Sequence, residues 1–374
     1  MPFPRHVYVH VPFCARRCTY CDFSIAVRRV VPADEYVSAL KRELDLRFPD
    51  ASAAPVDTLY FGGGTPSRLG GEGVAALIGM LRPRLQLLED AEVTLETNPE
   101  DVNVEAIARW RDAGVNRLSL GAQSFDDRVL AWMHRSHDAA AIGRAVDTAR
   151  EGGIDNISLD LIFAVPERVE RSWATDVARA LELEPSHLSL YGLTIEPRTP
   201  MGRWMARGEL SETPDERYES EFLYAHDVLT AAGFDHYEVS NFGRPGFHSR
   251  HNSAYWSGAP YAGMGPSAHE FDGSVRRWNV APYADWLRLL QNSTDPVADS
   301  EVLTNSNRVA EDVYLGLRTK RGIALDGPEI ARVQAWVEAG WATRTGADRL
   351  QLTALGWLRL DALAADLTLV RSRY

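Results

Sequence analysis

Cys14, Cys18 and Cys21 are the three cysteines of a 374-residue chain, and they fall within eight residues of one another. The spacing C-x3-C-x2-C, directly after an apolar run, gathers every thiol of the protein at one point. Buried structural cysteines rarely cluster in this way, whereas soft thiolates at close spacing are metal ligands. Two centres fit. A structural zinc ion takes four ligands, so His6 or His10 would have to complete it. An iron–sulfur cluster on three thiolates leaves one iron without a protein ligand, a position a small molecule can take. The spacing favours the cluster.

Four further groups have the types needed to hold a polar ligand. Gly62-Gly63-Gly64-Thr65-Pro66 lets backbone approach a ligand with no Cβ in the way, although alone it reads as a tight turn. Glu96 precedes Asn98-Pro99 and alone reads as a carboxylate at a strand end. Arg117-x-Ser119-x-Gly121-x-Gln123, with Arg135 and Asp160 downstream, adds amide, guanidinium and carboxylate. His251-Asn252-Ser253-Ala254-Tyr255-Trp256 reads alone as a polar and aromatic loop, where a histidine is more often a satisfied structural residue than an iron ligand.

These groups need strands to position them. Short β-rich runs occur at Val7–Val11, Asp57–Phe61, Glu92–Glu96, Asn116–Leu120, Asn156–Ile162 and His187–Leu193. Helical patterns separate them, at Asp34–Arg47, Val104–Ala113 before Gly114, and Ala139–Glu151 before Gly152-Gly153. Six strands alternating with helices predict an α/β fold with a parallel sheet. A partial (β/α)6 barrel is expected, with an open doubly wound sheet as the alternative. Cys14, Gly63, Glu96, Gln123 and Asp160 then lie at or near one mouth of the barrel, where sites are built. After Pro200 the pattern changes. Thr213-Pro214-Asp215-Glu216 predicts a capping box opening a helix to about Ala232. Residues 241–267 read as an ordered aromatic loop region. From about residue 300, helices precede a hairpin turning at Gly346 and a last helix at Ala354–Asp366, a mixed α+β arrangement like a winged helix. The expected units are a barrel over 1–205, an extension over 206–298 carrying His251–Trp256, and a small helical domain over 299–374.

The cysteine motif with its flanks, Tyr8-Val9-His10-Val11-Pro12-Phe13-Cys14 and Cys21-Asp22-Phe23, resembles the radical S-adenosylmethionine (SAM) superfamily. Within it, the flanks resemble the oxygen-independent coproporphyrinogen III oxidase-like family, on its heme chaperone HemW branch. The similarity runs from Tyr8 to about Gly322. The resemblance implies a [4Fe-4S] cluster on Cys14, Cys18 and Cys21, with SAM chelating the fourth iron through its amino and carboxylate groups. In that superfamily an electron from the cluster cleaves SAM to a 5′-deoxyadenosyl radical. It also implies SAM contacts from Gly63, Gly64, Thr65, Glu96, Gln123, Arg135 and Asp160, with Tyr8 and Tyr20 beside the cluster. Glu96 would accept from the ribose hydroxyls.

His251–Trp256 resembles the HNxxYW motif of the heme chaperones, next to a second matching segment, Tyr237-Glu238-Val239-Ser240-Asn241-Phe242. This implies heme held by His251, Asn252, Tyr255 and Trp256, with His251 ligating iron and the two aromatics packing the porphyrin. Three segments depart from the pattern: Ser249, where many relatives have cysteine; Ala164-Val165-Pro166, for Gly-Leu-Pro; and Thr194, where the oxidase branch has alanine.

The implied function is a heme chaperone that transfers heme to an acceptor apoprotein, respiratory or membrane-associated. The alternatives are a coproporphyrinogen III dehydrogenase, which decarboxylates propionates oxidatively, and a radical SAM heme methyltransferase. Phe23 stands where the oxidase branch has an additional cysteine, only 13 residues precede Cys14, and the oxidase branch lacks HNxxYW. All three features favour the chaperone.

Composition agrees with a soluble globular chain, 45% hydrophobic and 25% charged. With 40 Lys+Arg against 52 Asp+Glu, the net charge of −12 argues against a nucleic-acid partner. Reduced thiols and the lack of a signal-like segment predict a cytoplasmic protein, peripheral to a membrane through its acceptor. Residues 1–30 nevertheless hold Arg5, Arg16, Arg17, Arg28 and Arg29 against Asp22 alone. That basic flank predicts docking of an acidic electron donor such as a flavodoxin or ferredoxin.

Overall fold

The protein was analysed as a computed structural model that describes residues 3–49, 55–346 and 348–372. Six strands carry its first half: β1 (His6–Val11), β2 (Pro55–Gly63), β3 (Gln86–Thr97), β4 (Arg117–Gln123), β5 (Ile157–Phe163) and β6 (His187–Gly192). They pair in chain order, all parallel. A doubly wound sheet reverses its strand order at a switch point, and this one does not. Right-handed crossovers in constant order place the helices on one face, and the other face becomes the inside of a partial (β/α)6 barrel.

The two-residue period of a strand sorts the side chains accordingly. Val7, Val9 and Val11 on β1, Leu59 and Phe61 on β2, Val93 and Leu95 on β3, and Leu118, Leu120 and Ala122 on β4 all join one apolar core. The alternate positions face inward and are polar or small: Tyr8 and His10, Thr58 and Tyr60, Thr94 and Glu96, Ser119 and Gly121, Ser158 and Asp160. The barrel interior is therefore a polar face built by the same strands that build the core.

The helices Ala33–Arg47, Val104–Ala113 and Ala139–Glu151 lie where their apolar spacing predicts. Asn103 caps the second by accepting from Ala106 N at 3.0 Å. The expected capping box at Thr213–Glu216 does not form. The helix runs Asp215–Ala231 with Pro214 just ahead of it, and the Thr213 hydroxyl donates instead to the Ala164 carbonyl at 2.6 Å. Thr213 thereby ties this helix to the end of β5.

The aromatic stretch 241–267 is more regular than a loop. It holds the strand Asn241–Gly243, the short helix Arg250–Trp256 and the strand Tyr261–Met264. The last pairs in parallel with β1 and extends the barrel sheet on that side. Its Ala-Gly centre gives no β-branched signal. Glycine is required there, since a Cβ on Gly263 would lie 1.9 Å from the His269 carbonyl oxygen. Three antiparallel strands continue outward, His269–Phe271, Val275–Asn279 and Val297–Val302.

One buried carboxylate fastens this extension to the barrel. Glu43, fully buried on Ala33–Arg47, accepts from Trp286 Nε1 (2.9 Å), Gly265 N (2.9 Å), Asn279 Nδ2 (2.6 Å) and Arg47 Nη1 (2.8 Å). At the C-terminus the helix Asn305–Arg318 precedes a three-stranded antiparallel sheet of Ile323–Ala324, Arg349–Leu352 and Ala342–Thr345. The hairpin turns at Gly346 as expected, with φ +72°. The single last helix predicted from Ala354 is two, Ala354–Trp357 and Leu360–Arg371.

Candidate functional site

The polar inner face opens at the carboxyl ends of the strands into a cavity of about 390 Å³. Cys14, Cys18 and Cys21 line it with Tyr20, and so do Gly63, Gly64, Thr65, Glu96, Gln123, Arg135 and Asp160. Of the residues expected to meet the cluster or SAM, only Tyr8 is elsewhere. It stands deeper on β1, with its hydroxyl 3.1 Å from His10 Nδ1.

The cysteine loop is closed at its base and pinned at its middle. Phe13–Cys14 pairs in parallel with Ala26–Val27, and Arg28 N donates to the Cys14 carbonyl at 3.0 Å. Between them Thr19, fully buried, donates through its N–H to Met133 O and through its hydroxyl to Trp132 O, both at 3.2 Å. This brings Cys18 to Arg135, whose Nη1 donates to its sulfur at 3.5 Å. Cys14 Sγ lies 3.5 Å from Thr65 Oγ1. Burial pushes the Cys14 thiol up and the Cys21 thiol to about 11, so a metal must displace protons to bind here.

Among the described residues, no three His, Cys, Asp or Glu side chains converge as a single ion requires. The histidines proposed to complete a zinc site are engaged elsewhere. His10 has its ring nitrogens at Tyr8 Oη (3.1 Å) and the Ser24 carbonyl (3.0 Å). His6 Nδ1 lies 3.0 Å from Thr58 Oγ1. Neither histidine is therefore placed to complete a zinc site, and three thiols lining one cavity suit a cluster that takes one thiolate per iron.

Glu96 is held by Tyr60, whose hydroxyl donates at 2.8 Å, and by Gly63 N at 3.0 Å. Burial nevertheless raises its carboxyl to about 7. Gly63 has φ +111°, and a Cβ there would lie 2.5 Å from the His10 ring. Only glycine can carry the backbone past His10 and still offer its N–H to Glu96. Asp160 accepts from Ser119 Oγ at 2.9 and 3.1 Å, and burial raises its carboxyl as well. Arg135 Nη2 donates to Gly121 O at 3.0 Å and to Asn98 Oδ1. Gln123 ends β4 with φ +66°, an uncommon conformation for a residue with a side chain. Tyr60 and Asn98 were not singled out in the sequence. The signal for Tyr60 was its inward register, two residues before Gly62.

The HNxxYW segment forms the helix Arg250–Trp256, anchored on β2 through Thr58 and on β3 through Glu92. Glu92 accepts from Arg250 N (2.9 Å) and His251 N (3.0 Å). Ser249 is the N-cap, accepting from Asn252 N at 3.3 Å. The serine in place of the relatives' cysteine thus has a structural task. His251 is buried, with Nδ1 2.7 Å from Thr58 Oγ1 and Nε2 2.8 Å from Tyr255 Oη. Its ring stacks on Tyr60 at 5.0 Å, and burial lowers its pKa to about 3.

The structure therefore does not offer His251 as a free iron ligand, because both ring nitrogens are satisfied. What it does offer is a chain of contacts from the motif through Tyr60 to Glu96. Tyr255 and Trp256 line a second cavity of about 1030 Å³, together with Tyr8, His10 and His269. Tyr8 and His10 thus stand between the two cavities, since the His10 ring also backs Gly63 of the first.

The Radical SAM superfamily profile matches residues 8–178. The chain is 40% identical over 370 residues to the heme chaperone HemW of Mycobacterium tuberculosis, covering 97% of this chain and 95% of that protein. It is 34% identical over 321 residues to the heme chaperone HemW of Bacillus subtilis, covering 86% and 85%. Its fold is similar to that of coproporphyrinogen III oxidase (HemN) from Escherichia coli, with a TM-score of 0.84, 24% identity, and coverage of 98% and 90%.

Proposed function

Since the chain belongs to the heme chaperone HemW family of the radical SAM superfamily, we propose that it binds heme and passes it to an acceptor protein while holding a SAM-coordinated [4Fe-4S] cluster. The observation that carries this reading is the single cavity on which three thiols, Glu96 and Asp160 converge in a chain similar to heme chaperones over nearly its whole length. Cys14, Cys18 and Cys21 would hold the cluster, whose open iron, once loaded, can coordinate SAM and pass it an electron. Arg135, beside Cys18, offsets thiolate charge. The Gly63–Thr65 turn gives the SAM amino group a close approach, and Glu96 accepts from the ribose.

Two outcomes follow for SAM. Glu96→Ala weakens SAM binding by about 1.5–3 kcal/mol, the worth of hydrogen bonds to a charged group, or roughly ten- to a hundredfold. Because burial holds the Glu96 carboxyl near 7, it is protonated below that pH and ionised above it. SAM affinity therefore falls as pH drops from 8 to 6 in the parent and changes less in Glu96→Gln. Calorimetric titration at the two pH values reads both, and a parent dependence identical to that of Glu96→Gln contradicts the role given to Glu96.

Electron delivery belongs to the basic flank. Arg16 and Arg17 are exposed between two of the cysteines, and Arg16 lines the cavity. An acidic flavodoxin or ferredoxin would dock there, with an encounter rate that salt lowers. Reversing both residues to Glu slows cluster reduction by such a donor at low salt and leaves reduction by dithionite unchanged. Equal rates with the protein donor would dismiss the docking site. No helix among the described residues is long and apolar enough to cross a membrane.

Against the dehydrogenase reading, the test is turnover. The anaerobically reconstituted protein with SAM, reductant and coproporphyrinogen III yields no protoporphyrinogen IX. Repeated turnover with matching 5′-deoxyadenosine release would restore that reading.

A further inference from the structure

The second cavity, of about 1030 Å³, is at the upper end of the roughly 300–1,000 Å³ typical of small-molecule sites. It lies between the strands Tyr261–Met264, His269–Phe271 and Val275–Asn279 and the helices Asn305–Arg318 and Leu360–Arg371. Its walls are largely aromatic and aliphatic: Tyr255, Trp256, Tyr261, Phe271, Tyr314 and Leu315. Two polar features there are unspent. The Nε1–H of Trp256 is buried and has no hydrogen-bond partner. His269 lines the cavity, and neither of its ring nitrogens has a partner among the described residues.

His269 stacks on Trp278, with ring centroids 5.8 Å apart, which fixes the plane of its imidazole. Partial desolvation against the cavity wall, helped by Arg276, lowers its pKa and favours the neutral ring that binds metals. The two histidines with a competing claim to iron, His10 and His251, already have both nitrogens engaged.

We infer that heme occupies this second cavity and that His269, rather than His251, is its axial iron ligand. The inference rests on the heme-binding reading and gives it a place and a ligand. A large flat aromatic ligand matches the aromatic walls, and an open imidazole supplies the one strong bond iron requires. His251 then acts by position. Through Tyr255 it shapes the heme wall, and through Tyr60 it supports Glu96 on the SAM side. Tyr8 and His10 form the partition, so heme and SAM would bind on either side of these two inward-facing side chains of β1.

The test is a heme titration of the whole reconstituted chain, followed by optical and electron paramagnetic resonance spectra, on the parent and three variants. His269→Ala is expected to lose the histidine-ligated spectrum and to bind heme roughly tenfold or more weakly, with cluster content and melting temperature kept, because the side chain is exposed. His269→Met is expected to restore a ligated but shifted spectrum. Ala365→Trp, at an exposed position lining the cavity, is expected to weaken heme binding without removing any histidine. An unchanged spectrum and affinity in both His269→Ala and Ala365→Trp, while the parent binds heme, overturn the placement and leave the chaperone reading standing. A parent that binds no heme overturns both.

Discussion

Replacing any one of Cys14, Cys18 or Cys21 by Ser abolishes the four-iron cluster. No fourth cysteine exists in the chain to take over a lost corner, and the two histidines of the region are committed to Tyr8, Ser24 and Thr58. A serine hydroxyl is a harder and far less acidic donor than a thiol. Iron and sulfide analysis of each anaerobically reconstituted variant measures this, and the broad charge-transfer absorption of the cluster should vanish with it. SAM chelation by the open iron should be lost at the same time, leaving only the weaker contacts of Glu96 and its neighbours. A variant that retains four irons would sink the three-thiolate assignment. Zinc in place of iron in the parent would contradict it from the other side.

The second large effect is on stability, and it lies far from the cysteines. Glu43→Ala is expected to destabilise the protein by about 3–5 kcal/mol, the range for removing one partner of a buried ion pair. Trp286 Nε1 and Gly265 N would lose their acceptor, and Arg47 would lose one carboxylate partner while keeping its ion pairs to Glu270 and Asp295 and its hydrogen bonds to Gly263 O and Asn279 Oδ1. Glu43→Gln preserves an acceptor oxygen and should cost less. Denaturant unfolding of the three proteins compares them. A loss below about 1 kcal/mol for Glu43→Ala would show that the extension is not held to the barrel by this carboxylate. The functional consequence is specific. Glu43 anchors Gly265 and Asn279, which flank the strand bearing His269, so the alanine variant should weaken heme binding before it weakens SAM binding.

The six barrel strands were legible because their core face is plainly apolar, although β3 begins at Gln86, ahead of the run at Glu92 that marks it in the sequence. So were three of the helices, whose caps and apolar spacing agree. The cysteine loop was legible for a different reason, since an entire protein's thiols within eight residues admit few explanations. What escaped was whatever depends on a partner distant in sequence. The strand Tyr261–Met264 owes its place to β1, more than 250 residues earlier, and to a glycine chosen for a neighbour's carbonyl rather than for strand preference. Thr213 looked like a helix cap and serves β5 instead. His251 sits in a recognisable motif, but the hydroxyls that satisfy it come from β2 and from its own helix. His269 carries no local signal at all. It is marked only by the cavity that the C-terminal helices close around it.

Heme binding by this chain can be measured directly. The most direct measurement is an optical titration of heme into the anaerobically reconstituted, SAM-loaded protein, with cluster and heme bands followed together. Saturation at one heme per chain, with the cluster absorption retained, is the expected result. Heme absorbance that rises without saturation, or that binds equally to unfolded chain, would contradict it.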